Sequence, residues 1–311
     1  MRTYTVGIIG LGKIAHDQHV PVIAGNPAFK LAAIVSQRGL TVEKLPTFRT
    51  PEEMYRAMPD LDAVAVCTPP QVRYATARAA LAAGKHVMLE KPPAATLSEL
   101  HELARFADSE ERVLFTTWHS QYNAAVDAAK KALAGAKVRK LAVNWKEDVR
   151  RWHPGQAWIW KAGGFGVFDP GINALSIVTK IMPEPVFVAS ADLEIPSNCE
   201  APIGASLTFH GNNPGADLKA VFDWRQTGPQ TWEILVETAD GRKLQLENGG
   251  GKLTIDGKLI AEKKPTEYED IYEHFRVLLD EGRSHVDPAP LRLVADAFLV
   301  GRRIEADAFV D

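Results

Sequence analysis

The sequence predicts an α/β protein in two parts: an N-terminal doubly wound parallel sheet over residues 1–120, and a C-terminal α+β domain over residues 121–311 with a large, mostly antiparallel open sheet. Three observations predict it. A chain of 311 residues with 46% hydrophobic content exceeds what one ordinary core fills and divides into domains of roughly 100–200 residues. Up to about Thr117, short apolar runs alternate with Ala- and Leu-rich stretches of helical spacing, the pattern of βαβ units. Beyond about Leu133 the texture changes to period-two alternation, which fits half-buried antiparallel strands.

Taken in order, five strands are expected in the first part: Tyr4 to Ile9, Lys30 to Val35, Ala63 to Val66, His86 to Leu89 and Val113 to Phe115. Helices such as Val72 to Ala83 and Leu97 to Asp108 connect them, and a further helix is expected over Asn123 to Leu133. The alternating segments Leu141 to Val149, Ala205 to Phe209, Leu218 to Trp224, Trp232 to Thr238 and Lys243 to Leu246 supply the second sheet. Pro290 to Ile304 returns to helical spacing through Leu291, Val294, Ala295, Phe298, Leu299 and Arg302, and this C-terminal helix is a candidate for packing back on the first domain. No internal repeat or low-complexity tract interrupts the pattern.

Composition narrows the function. A formal charge of -3, with 24% charged residues of both signs, offers no basic stripe for a phosphate backbone, so no nucleic-acid partner is expected. No apolar stretch approaches the roughly 18 residues of a membrane span. The residues from Met1 to Tyr4 lead straight into an apolar run without a signal-peptide pattern, so a soluble, cytoplasmic protein is expected. Cys67 and Cys199 have no partner at metal-ligand spacing, which argues against a disulfide framework or a metal site. Cys67 itself reads as a small strand-end residue.

The first strand runs into Gly10-Leu-Gly12-Lys13-Ile14-Ala15, the G-x-G-x-x-A fingerprint of a Rossmann dinucleotide site. Gly10 suits the tight turn, Gly12 the close approach of a pyrophosphate, and Ala15 the packing of helix on strand; free N–H groups of the helix face the phosphates. An NAD-specific site usually carries Asp or Glu about 20 residues further on. Here Ser36-Gln37-Arg38 stands instead, with no carboxylate to repel a 2′-phosphate and a guanidinium to bind one, so NADP and/or NAD is expected. Arg38 as a solvated loop cation is the alternative. Three more strand ends fall where open α/β sheets bind ligands: Cys67-Thr68-Pro69-Pro70, Glu90-Lys91-Pro92-Pro93 and Thr117-Trp118-His119.

Through Gly10-x-Gly12-x-x-Ala15, Glu90-Lys91-Pro92 and Asp169-x-Gly-x-Asn173, the chain resembles the glucose-fructose oxidoreductase and inositol dehydrogenase family over essentially its whole length. Longer runs, His86 to Pro93, Trp145 to Gly155 and Gly166 to Ser176, resemble the family's bacterial 1-dehydrogenases of L-arabinose and D-galactose. The resemblance implies that Lys91 reaches the hydroxyl being oxidised and that Asp169 pairs with it. Many members carry His four residues after that Asp; this chain has Asn173, which puts more of the proton transfer on Lys91. Relatives also dimerise through the uncovered face of the second sheet, so a homodimer is expected.

The implied reaction is NAD(P)-dependent oxidation of an aldose at C1 to the aldonolactone, with L-arabinose, D-galactose or D-fucose as substrate. These sugars share stereochemistry at C2 to C4 and differ at C5. Such a site needs a base, an orienting network and little water. Lys91 is the proton-transfer candidate: desolvation beside a cationic nicotinamide lowers its pKa, while Asp169 raises it, so base and hydrogen-bond donor both stay open. Asp169 has a second reading as a helix N-cap ahead of Pro170, and Asn173, four residues on, shares its face. Glu147 and His153 are expected to bind sugar hydroxyls, against a surface ion pair; Trp152 is expected to cover a sugar face, against a place in the core. His119 is a candidate for the cofactor or the sugar, against structural packing, and His16 and His19 receive no role. Two competing functions remain: oxidation of a cyclitol or another ring hydroxyl, and a sensor that binds NAD(P) without turnover.

Overall fold

The computed structural model describes residues 2–310. The chain forms two compact units, one running to Trp118 and including Tyr268–Pro288, the other comprising His119–Glu267 and the chain from Ala289 on. Dividing the sequence at 120/121 therefore leaves one helix, Glu267–Glu281, on the wrong side: its apolar stripe of Tyr268, Ile271, Tyr272, Phe275 and Leu278 is buried with Phe29 and Phe115 of the first unit.

In the first unit, strands β1 (Tyr4–Ile9), β2 (Phe29–Val35), β3 (Thr47–Phe48), β4 (Ala63–Val66), β5 (His86–Leu89) and β6 (Leu114–Thr116) make a parallel sheet in the order β3-β2-β1-β4-β5-β6. The five expected strands are present; β3, at two residues, is too short to carry a period. Val6, Ile8, Val64, Val66, Val87 and Leu89 are fully buried, as expected for strands covered by helices on both faces. The order reverses between β1 and β4, which opens a crevice at the carboxyl ends of these strands. Helices Pro51–Ala57 and Leu97–Ser109 each start with a capping box, Thr50 with Glu53 and Thr96 with Glu99. The first helix contains a π-turn, Ala15–His19, before Val20–Gly25. Pro21 has no N–H for the bond to residue 17 and its ring crowds that carbonyl, so the helix widens by one residue and Val20 N–H donates to the Ala15 carbonyl.

At the start of β5, His86 Nδ1 accepts the Val113 N–H at 2.9 Å, a bond that protonation would break. Burial, with help from Arg112, pushes its pKa down to about 4. An unfolded chain takes up this proton near the ordinary value of 6.5, so between about pH 6.5 and 4 the unfolded state holds more protons and stability falls as pH falls. The full shift corresponds to about 3 kcal/mol, which partial exposure of the ring reduces to about 1–2 kcal/mol. His86→Gln should therefore lose less of its melting temperature between pH 7.5 and 4.5 than the native protein does; parallel pH curves for the two proteins would rule this out.

The second unit is built on a nine-stranded sheet in the order β14-β13-β12-β11-β7-β10-β9-β8-β15. Its strands are β7 (Val138–Lys146), β8 (Phe187–Pro196), β9 (Gly204–His210), β10 (Asp217–Asp223), β11 (Thr231–Thr238), β12 (Lys243–Glu247), β13 (Lys252–Ile255), β14 (Lys258–Glu262) and β15 (Arg302–Ala306). The β10/β7 and β15/β8 ladders are parallel and the rest antiparallel. One face buries Leu141, Val143, Ala220, Phe222, Ile234 and Val236 beneath helix Phe168–Ile181, which is itself largely buried. Helix Ala289–Val300 packs on β8 and on Phe168–Ile181, so the C-terminal helix stays with the second unit. The predicted helix to Ile304 is also corrected: it stops at Val300, and Gly301 turns the chain into β15. Among the described residues no helix is long and apolar enough to cross a membrane.

Candidate active site

The turn after β1 is shaped as the fingerprint requires. Gly10 has φ +95°, and a Cβ there would lie 3.1 Å from both the Cys67 carbonyl carbon and the Thr68 nitrogen, so only glycine lets β1 and β4 end side by side. At Gly12 an added Cβ would meet nothing within 4 Å; the protein itself does not demand glycine there, which points to a ligand that does. Ala15 is fully buried under the helix, while Lys13 and Ile14 face solvent and Lys13 pairs with Asp17. Thr68 Oγ1 is buried without a hydrogen-bond partner among the described residues. An open cradle at a helix start and an orphaned hydroxyl at the β4 end both fit a dinucleotide phosphate.

At the end of β2, Ser36 is buried and its Oγ accepts the Leu40 N–H at 3.0 Å, closing a turn that holds Gln37 and Arg38 in solvent. The hydroxyl accepts there and keeps its own hydrogen to donate. Arg49 also lies on this turn: its Nη1 donates to the Gln37 carbonyl at 2.6 Å, and its guanidinium covers Gly39. Sequence spacing gives no hint of this second guanidinium, because the β2/β3 pairing that delivers it is formed by only two residues of β3.

Lys91 follows β5, and the Lys91–Pro92 peptide bond is cis. Thr117 braces the strand end by donating both its N–H and its hydroxyl to the Leu89 carbonyl, each at 2.9 Å. Glu90 is 3% exposed; its Oε2 accepts the Lys91 N–H at 3.0 Å, and its Oε1 meets the Tyr268 hydroxyl at 2.8 Å and His19 Nε2 at 3.0 Å. Buried Arg73, on helix Pro70–Ala82, donates to the carbonyls of Thr68, Glu90 and Pro92. This helix begins at Pro70, earlier than Val72, so Cys67, Thr68 and Pro69 form the loop between strand and helix. Cys67 Sγ lies 3.9 Å from the Ala65 carbonyl. Neither Arg73 nor His19 stands out in the sequence; His19, to which the sequence assigns no role in the chemistry, is fully buried and bonded at both ring nitrogens.

In the second unit, Asp169 is buried near the start of helix Phe168–Ile181. The N-cap position is Val167, without a side-chain cap bond, so the capping reading of Asp169 is corrected: the Asp169 N–H closes a turn on the Gly166 carbonyl at 2.8 Å. His153 Nε2 lies 3.4 Å from Asp169 Oδ2, and Asn173, partly exposed, follows Asp169 by one turn. Segment 147–153 lies beyond the end of β7 at Lys146, so the strand expected to Val149 stops three residues early; Asp148 caps the short helix Val149–Trp152, and His153 follows it beside Asp169. Glu147 does not lie on the surface. It is buried, with its Oε1 accepting from Trp145 Nε1 at 3.2 Å and Trp232 Nε1 at 3.0 Å. The Trp152 ring lies 5.9 Å from that of Trp232 and its Nε1 donates to Gln230 Oε1 at 3.3 Å. Trp232 thus joins Glu147 to Trp152, although only its strand was read from the sequence. His119, in the short helix His119–Tyr122, pairs through Nδ1 with Glu267. Among the described residues no group of three His, Cys, Asp or Glu side chains is placed to hold a metal ion.

Residues 4–118 match the GFO/IDH/MocA model, described as an oxidoreductase family with an NAD-binding Rossmann fold. Over 312 aligned residues the chain is 46% identical to galactose 1-dehydrogenase of Pseudomonas fluorescens, with 100% of both chains covered. The crystal structure of D-galactose-1-dehydrogenase from Rhizobium etli matches with a TM-score of 0.94 at 52% identity, covering 100% of this chain and 99% of that one. A 3-ketoreductase from Actinomadura kijaniata, in complex with NADP and TDP-benzene, matches with a TM-score of 0.84 over 98% of this chain and 100% of that one; at 18% identity the likeness shows the fold alone.

Proposed function

Because the chain belongs to the GFO/IDH/MocA oxidoreductase family, whose N-terminal part is an NAD-binding Rossmann fold, we propose that it oxidises an aldose at C1 to the aldonolactone. The single observation that carries this reading is the full-length likeness to galactose 1-dehydrogenase, which spans both units. D-galactose, L-arabinose and D-fucose are the proposed substrates, since they share C2 to C4 and differ only at C5.

The bound nicotinamide supplies the hydride acceptor. The Gly10–Gly12 turn with Lys13, Ile14 and the helix start holds the pyrophosphate. Loop Cys67 to Pro70, Glu90 and His119 contribute to the rest of the cofactor site. Ser36, Gln37 and Arg38 form the ribose end, where a hydroxyl donor and a guanidinium favour the 2′-phosphate of NADP. At the sugar, Lys91 takes the proton from the anomeric hydroxyl while the C1 hydrogen leaves as hydride, so a C1=O bond replaces one C–H and one O–H bond. Asp169 and Asn173 hold sugar hydroxyls, and the contact with His153 limits the rotation of Asp169. Glu147, His153 and Trp152 complete the sugar site. In the same reading the protein is a cytoplasmic homodimer joined through the second sheet, whose outer face presents partly exposed Ala142, Val221 and Leu235.

Initial rates of reduced-nicotinamide formation test the proposal, measured with D-galactose, L-arabinose, D-fucose, D-xylose and myo-inositol, each with NAD and with NADP. The first three should react, ranked by C5 substituent with about 10- to 200-fold per carbon; the last two should be inert, and NADP should give the higher kcat/KM. Light scattering on the same preparation should return twice the chain mass. Turnover of myo-inositol alone, or a monomer, would overturn the corresponding part.

A further inference from the structure

Resting on that reading, in which Lys91 carries the proton, we infer that His19 is a positioning residue for Lys91 and acts on it through Glu90. The connection is a continuous hydrogen-bonded chain. Tyr272 OH lies 2.8 Å from His19 Nδ1, His19 Nε2 lies 3.0 Å from Glu90 Oε1, and Glu90 Oε2 accepts the backbone N–H of Lys91 at 3.0 Å. The Tyr268 hydroxyl, 2.8 Å from the same Oε1, closes the cluster. Three separated stretches supply it: the π-turn of the first helix, the end of β5 and helix Glu267–Glu281.

Stability alone does not account for these groups. His19 and Glu90 are 0% and 3% exposed, and taking a carboxylate and an imidazole out of water carries a desolvation penalty that the pair has to offset; apolar residues of similar volume commonly serve a core as well or better. Burial works against the imidazolium, but Cys67, Tyr272 and Glu90 together hold the His19 pKa well above its ordinary value. An ionised carboxylate only accepts, so His19 Nε2 carries a hydrogen and donates it to Glu90 Oε1. Its ring is gripped edge-on by Tyr268 and Tyr272, with centroids 5.1 and 5.7 Å away, which leaves it one orientation. By contrast His16, three residues earlier, is exposed beside Asp17.

The cluster acts on one side of the Lys91 backbone and Arg73 on the other, through the carbonyls of Glu90 and Pro92. Lysine has a long, flexible side chain, so a fixed backbone is what limits where its amine can be. A shift of about 1 Å in a reacting group costs on the order of 100-fold in rate.

The test compares His19→Leu, His19→Gln and Tyr268→Phe with the native chain, using 13C-methylated lysines. The Lys91 signal is identified by its absence in Lys91→Arg. His19→Leu should move the Lys91 resonance and lower kcat by about 10- to 100-fold, with the KM for NADP changed by less than about 3-fold. Glutamine, whose amide still donates to Glu90, should recover kcat to within about 3-fold and restore the resonance. Tyr268→Phe, which removes a single hydroxyl, should move the same resonance and decides the matter if His19→Leu fails to fold. An unmoved Lys91 resonance in the folded variants, or a kcat loss that glutamine does not recover, overturns the inference. If the native chain reduces no nicotinamide with any sugar, the dehydrogenase reading fails, whereas the resonance still judges the positioning of Lys91.

Discussion

Lys91→Met should lower kcat by about 1000-fold or more while changing the dissociation constant of NADP by less than about 10-fold, since positioned proton transfer contributes about 100- to 10000-fold and the amine also orients the reacting hydroxyl. The loss should appear equally in kcat and kcat/KM, the mark of an interaction made in the transition state. Lys91→Arg then separates the two roles left open by the residues. A guanidinium still donates hydrogen bonds but stays protonated at any working pH. If Lys91 accepts the proton, arginine should be as inactive as methionine. If it only orients the hydroxyl, arginine should retain markedly more activity. A Lys91→Met enzyme keeping more than about a tenth of native kcat would remove Lys91 from the chemistry.

The parts of the site that could be read from the sequence are those carried by short contiguous patterns. Gly10, Gly12 and Ala15 announce the phosphate turn because each glycine or alanine answers a local steric demand, which the 3.1 Å approach of Cys67 and Thr68 to Gly10 makes concrete. Asp169 and Asn173 are singled out by the family resemblance, and helix spacing adds only that they share one face. Asp169 before Pro170 has an N-cap as its alternative reading, and the helix start at Phe168 excludes that. What stayed hidden depends on distant pairing: Glu90 meets Tyr268 178 residues away, and His19 meets Tyr272 253 residues away. No local propensity encodes such contacts. Arg73 and Arg49 were equally silent, since an arginine that bonds main-chain carbonyls leaves no partner side chain to notice. Helix Glu267–Glu281 is a different case. Its spacing of Tyr268, Ile271, Tyr272, Phe275, Leu278 and Leu279 is a plain 3.6-residue stripe, so this helix is encoded locally even though its partners Phe29 and Phe115 are distant in sequence.

Gly166→Ala should be among the most destabilising single-methyl changes in the second unit. Gly166 sits at φ +52°, and its added Cβ would lie 2.3 Å from the Pro202 carbonyl oxygen and 2.8 Å from the Pro202 nitrogen. Those are backbone atoms, so no side-chain rotation relieves the clash. They are also engaged: the Pro202 carbonyl accepts the Val167 N–H at 2.7 Å, and the Gly166 carbonyl accepts the Asp169 N–H at 2.8 Å. Relief therefore requires the start of helix Phe168–Ile181 to move, and Asp169 moves with it. Left-handed backbone alone costs a non-glycine residue about 1–2 kcal/mol, and overpacking adds about 1–3 kcal/mol, so a total of about 2–5 kcal/mol is expected. Gly155→Ala isolates the first contribution, because Gly155 has φ +66° but nothing within 4 Å of an added Cβ. The melting temperature of Gly166→Ala should fall clearly below that of Gly155→Ala, and its kcat should fall as well, because the carboxylate of Asp169 is displaced from His153. Equal melting temperatures for the two variants would mean that the Pro202 contact yields without cost, and that the helix carrying Asp169 is not held in place by the glycine before it.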